Sequence, residues 1–175
     1  MSLTTRRATR GEIEAFYGEA KPKWNFAEFP LWQNSRFKEV PWDRFSDPGY
    51  TRLTNAQQVL NNLAVLQTHT YAKGVESFFR MGQDCVEFQQ AVAALGWNEL
   101  MRRFDGVFVH AFGSLKPDWS VAMKRANAAI QEMGSHRPYI EFSTWFRERI
   151  DDGSFSKEVL RYCRAHERDL FEIVS

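Results

Sequence analysis

The chain has 175 residues, a net charge of +1 from 23 basic and 22 acidic side chains, and 15% aromatic residues. That length suits one domain that buries about two-thirds of its unfolded surface and needs no staples. So balanced a charge argues neither for a nucleic-acid binder nor for a strongly acidic decoy, while six Trp and fifteen Phe call for an aromatic core or an aromatic surface that meets a partner.

Two cysteines, Cys85 and Cys163, lie far apart and show neither disulfide-framework nor zinc spacing, which fits a reduced cytoplasm. No apolar run approaches the roughly 20 residues that cross a bilayer, and the start "MSLTTRRATR" lacks the apolar segment of a secretory signal. A soluble, cytoplasmic protein with no membrane partner is expected.

In chain order, T-x-x-E at Thr9 to Glu12 is a capping box and predicts a helix to about Ala20 with Ile13, Phe16 and Tyr17 on one face. From Lys21 to Tyr50 the text holds four prolines, three tryptophans and four phenylalanines without a sustained period, and reads as a long ordered coil held down by its aromatics. T-x-x-Q at Thr54 opens the clearest helix, with Ala56, Val59, Leu60, Leu63, Leu66 and Thr70 at helical spacing as far as about Ala72. Gly74 ends it, and a short helical piece carries Val75, Phe78 and Phe79.

Asp84 is the expected cap of a helix to Leu95, with Phe88, Val92 and Leu95 inward and Gly96 as its stop. Asn98 is the expected cap of the next, which carries Leu100, Met101, Phe104, Val107, Phe108 and Phe112 before Gly113. The β-like run "GVFVH" falls inside this helical phase. Pro117 starts a helix that stops at Gly134, and two more follow at about Tyr139 to Ile150 and about Ser156 to Ile173, separated by the loop signal "DDGS". No convincing strand is read. The expected fold is all-α, a single-domain bundle of about seven helices. Within it, residues 1–52 form an N-terminal helix and aromatic coil that pack on the helical body 53–175.

Catalytic patterns are missing: there is no G-x-S-x-G, Walker loop, H-E-x-x-H or G-x-G-x-x-G. His166 and Asp169 stand at ligand spacing on the last helix, but a histidine that only hydrogen-bonds weighs more than a metal site there. Asp151, Asp152 and Glu148 read as a solvated turn before Gly153 rather than an acid–base cluster. Arg6, Arg7 and Arg10 read as a disordered start rather than a nucleic-acid arm. The aromatics Trp24, Trp32, Phe37 and Trp42 suit either an interface or self-packing of the coil. No enzyme activity, metal or cofactor is expected.

With the helices placed, "LTNAQQVLNNLAVLQTHTYAKGVESFFRM", "FQQAVAALGWNELMRRFDGVF" and "WFRERIDDGSFSKEVLRYCRAH" resemble a small helical family whose namesake is a DNA-mimic protein from Neisseria. Leu53, Thr54, Ala56 and Val59 match the family's opening L-T-x-A-x-x-V, and Ala94, Leu95 and Gly96 match the end of its later A-L-x-x-(I/L)-G helix. Tyr162, Arg164, Ala165 and His166 match its Y-I-R-A-H, with Cys163 in the isoleucine's place. Where the family has N-G-G-F, this chain has Ala72, Lys73, Gly74 and Val75, followed by the kept pair Phe78 and Phe79. The resemblance implies an all-α domain that acts through protein contacts. DNA mimicry does not carry over, because mimicry needs a dense negative surface that 23 basic against 22 acidic residues do not supply.

The expected function is therefore non-enzymatic binding of another protein, as a regulator, inhibitor or immunity-type factor. The expected contact residues are Trp24, Trp32, Phe37, Trp42, Lys73, Gly74, Phe78 and Phe79. The alternative is a nucleic-acid-binding module that uses the N-terminal arginines with Lys124, Arg125 and Arg137.

Overall fold

A computed structural model of the chain describes residues 6–19, 53–79, 85–119 and 137–174. The elements in order are β1 (Arg6–Thr9), α1 (Arg10–Glu19), α2 (Asn55–Lys73), α3 (Glu76–Phe79), α4 (Cys85–Leu95), α5 (Asn98–Phe112), α6 (Arg137–Asp151), α7 (Ser154–Ala165), α8 (Glu167–Leu170) and β2 (Phe171–Val174). The architecture is mostly helical, as expected. No helix among the described residues is long and apolar enough to cross a membrane. The aromatic coil, the expected Asp84 cap and the body of the helix expected after Pro117 lie outside the described residues.

Both capping boxes form. The Thr9 N–H donates to Glu12 Oε2 at 2.7 Å and the Glu12 N–H returns to Thr9 Oγ1 at 3.3 Å. At α2 the Gln57 N–H donates to Thr54 Oγ1 at 3.3 Å and the Thr54 N–H to Gln57 Oε1 at 3.0 Å. Each satisfies orphan amides of a first turn, at about 1 kcal/mol per cap. The α5 start differs from expectation: Asn98 is its first residue, and Trp97 occupies the cap without a side-chain hydrogen bond. Packing decides that position, since the Trp97 ring lies 5.5 Å from Trp145.

A larger correction concerns the two ends. Residues 6–9 are not a disordered arm, and the last helix does not run to Ile173. The chain leaves helix at His166, makes the single turn α8, and turns extended at Phe171 (φ −128°, ψ 136°). β2 then pairs in parallel with β1, Arg6 opposite Phe171 and Ala8 opposite Ile173. The Arg10 guanidinium pairs with Glu167, and Arg164 stacks over the Tyr17 ring at 4.1 Å. Ala8, Ile13 and Tyr17 thereby join the same core as the helical body.

That core is aromatic. Along α5, Phe104, Phe108 and Phe112 are buried at helical spacing, and Phe142 of α6 meets Phe104 with Phe146 buried beside it. Phe104 and Phe142 are 6.0 Å apart edge-on, Phe108 and Phe112 4.8 Å, and Phe146 and Phe155 of α7 5.0 Å. Such pairs add about 0.5–1.5 kcal/mol each beyond burial. Within the described residues, the heavy Phe content is thus largely spent on the interior.

Candidate functional site

The turn after α2 is a joint. Gly74 has φ 88° and ψ 162°, a region essentially reserved for glycine, and its N–H donates to Thr70 O at 3.1 Å. A Cβ there would run into the Glu76 carboxylate. Three hydrogen bonds fasten the joint to α6. The buried Val75 N–H donates to Ser143 Oγ at 2.9 Å, Arg147 Nε donates to Tyr71 O at 3.1 Å, and the Tyr71 hydroxyl donates to Asp151 Oδ1 at 3.2 Å. Arg147 thereby satisfies an orphan carbonyl and places positive charge at the negative end of the α2 dipole.

The contact residues expected here separate. Lys73 is exposed, whereas Gly74 is buried in the joint. Phe79 is fully buried, 5.4 Å from Phe112 and 5.5 Å from Tyr139, so it is a core group and not a surface contact. The backbone of Phe78 lies in α3. Trp24, Trp32, Phe37 and Trp42 fall outside the described residues.

The other candidate residues make the following local contacts. His166 Nδ1 lies 3.6 Å from Asp169 Oδ2 and its ring 4.3 Å from Tyr162. Among the described residues no group of three His, Cys, Asp or Glu is brought together for a metal. The acidic turn is built as a turn: the Ser154 N–H donates to Asp152 Oδ1 at 2.8 Å and Arg149 Nη1 lies 2.8 Å from Asp152 Oδ2. Hydrogen bonds from Ser154, with Arg149 beside them, hold the Asp152 carboxyl below its usual range. Arg10 and Arg137, two of the arginines considered for nucleic acid, are paired with Glu167 and with Glu141 (2.6 Å). Cys163 is free and fully buried, and burial pushes its thiol up to about 12.

An open groove of about 560 Å³ runs between α5 and α6. Arg102, Gly106 and His110, spaced four residues apart, form one ridge of α5, and Pro138 and Glu141 of α6 face them across it. Val107 and Phe142, 5% and 3% exposed, are the apolar lining. Arg103 also borders the groove but is committed, 3.1 Å from Glu99 and 4.6 Å above the Trp145 ring. Glu141 is committed to Arg137. Arg102 is exposed and has no carboxylate partner among the described residues. Val109 on α5 and Ile140 on α6 are 39% and 53% exposed, large apolar side chains on the two helices that make the walls.

In the sequence, Gly106, Val107 and His110 stand out only as parts of the β-like run "GVFVH", and nothing marks the other groove residues beyond their place in helical segments. The one signal was Gly106, a glycine inside a helical phase, where it costs stability without ending the helix.

No family model, curated protein or solved structure matches this chain.

Proposed function

We propose that the chain is a non-enzymatic domain that binds another protein, with the α5–α6 groove as its docking surface. The observation that carries this is the groove itself: apolar at Val107 and Phe142, walled by Arg102, which has no carboxylate partner among the described residues, and flanked by helices that expose Val109 and Ile140. Apolar lining with a polar rim is the usual anatomy of a specific protein interface. The motif resemblance read in residues 53–171 implies a domain that acts through protein contacts, which is the same reading. The reading assigns no catalytic residue, metal or cofactor, and places the protein in the cytoplasm.

The test is site-specific photo-cross-linking of the full chain in lysate of its own host cells. With benzoylphenylalanine in place of Ile140, one protein should cross-link in stoichiometric yield, and the same probe in place of Arg168, an exposed α8 residue outside the groove, should give none. Equal labelling from both positions, or cross-links to nucleic acid alone, would count against the proposal.

A further inference from the structure

Gly106 sits in the middle of α5, where glycine is unfavourable relative to alanine. The described residues give no reason for it. Its φ is not positive, and a Cβ built there meets nothing within 4 Å. A missing side chain that the chain's own packing does not require, on the wall of an open groove, leaves room for an outside group to approach the helix backbone.

The surrounding chemistry narrows what that group is. One turn before Gly106 stands Arg102, exposed and without a carboxylate partner among the described residues, and one turn after it stands His110. The groove lies between two helices, a shape that receives the side-chain ridge of a third. Its other charges, Arg103 and Glu141, are already engaged.

Resting on the protein-binding reading above, we infer that the groove takes an acidic amphipathic helix, crossing closest at Gly106. Apolar side chains of that helix at i, i+3 and i+4 lie on Val107 and Phe142. A carboxylate about one turn from the crossing point pairs with Arg102. Nucleic acid is the competing occupant of a cationic groove, but it has no use for the apolar lining or for an absent Cβ.

The experiment uses the full chain and a displayed library of random peptides of about 16 residues, matched to the roughly 22 Å length of α5. Selected peptides should carry net negative charge with apolar residues at helical spacing. Their affinity should fall at least about tenfold on Gly106→Leu and on Arg102→Glu. The fold control is Gly106→Ala, which should raise the melting temperature by about 2 °C as helix propensity improves.

Peptides that bind Gly106→Leu and wild type equally would overturn the inference while leaving a protein-binding function intact. Selection of basic peptides would do the same. Failure to enrich any peptide, together with salt-dependent binding of a DNA oligonucleotide that Arg102→Glu abolishes, would overturn both readings. A lower melting temperature for Gly106→Ala would show that the glycine serves the fold and would remove the basis of the inference.

Discussion

The Val75 N–H donates to Ser143 Oγ across a buried gap of 2.9 Å, tying the turn after α2 to the middle of α6. Neither residue carries charge, and both are nearly inaccessible, at 0% and 4% exposure. Ser143→Ala removes the acceptor and strands the buried amide, at a cost of about 1–3 kcal/mol. In a chain of this size the melting temperature should fall by roughly 2–4 °C per kcal/mol. An unchanged melting curve would mean that the turn is not held by this bond.

Gly74 should be less forgiving than its neighbour Lys73. Gly74→Ala forces a Cβ into a glycine-only backbone region and against the Glu76 carboxylate, for about 1–3 kcal/mol or more. Adding Glu76→Ala should recover only the part due to the collision. Full recovery in the double variant, measured by urea denaturation, would show that backbone strain contributes nothing.

Phe79 and Lys73, marked together as contact residues from sequence, should part company in stability. Phe79→Ala opens a hole between Phe112 and Tyr139 and should cost about 3–5 kcal/mol. Lys73→Ala on the exposed end of α2 should stay within about 0.5 kcal/mol. Equal small effects on the denaturation midpoint would place Phe79 outside the core.

Burial, with Lys73 one turn on, holds the His69 imidazole below its ordinary value of 6.5. The folded protein thus takes up its proton later than the unfolded chain does as pH falls. His69 therefore adds stability above about pH 6.5 that is lost as pH falls through the lower folded value. Unfolding free energy should decline from pH 7.5 toward pH 5.5, and His69→Gln should flatten part of that slope. A wild-type slope retained in full by the variant would assign the effect to another group.

A chain that begins at Arg10 lacks β1 and with it the partner of Phe171–Val174. Its β2 amides should exchange with solvent markedly faster, and the melting temperature should drop because Ala8 leaves the core, where it is 1% exposed. Unchanged exchange at residues 171–174 would be the behaviour of a disordered start.

Local signals determined most of the helical frame. Thr9 with Glu12 and Thr54 with Gln57 are pairs three residues apart whose side chains reach their own backbone, so the cap can be read without knowing the fold. Gly74, Gly96, Gly113 and Gly153 all take positive φ, as their places at the ends of apolar periods suggested. The buried faces of α4 and α5 follow from 3.6-residue spacing, whereas α2 is buried well beyond its apolar stripe, with Gln57, Asn62 and Gln67 inside and Val59 only partly covered.

What pairs across long separations was decided only in three dimensions. The terminal strands join residues more than 160 apart, and neither "RRAT" nor "FEIV" carries a period long enough to distinguish strand from helix or coil. The joint at Val75 needed Ser143, 68 residues away, to supply its acceptor. The groove is legible even less. Arg102, Gly106 and His110 announce one ridge of a helix, but a groove requires a second wall, and the packing of aromatic α5 against α6 is what sets Pro138 and Glu141 opposite them. Short-range hydrogen bonds and periodicity belong to the sequence by itself, because both partners lie within a turn or two. Which side chains are left facing water between two helices is a property of the assembled core, and only the tertiary structure decides it.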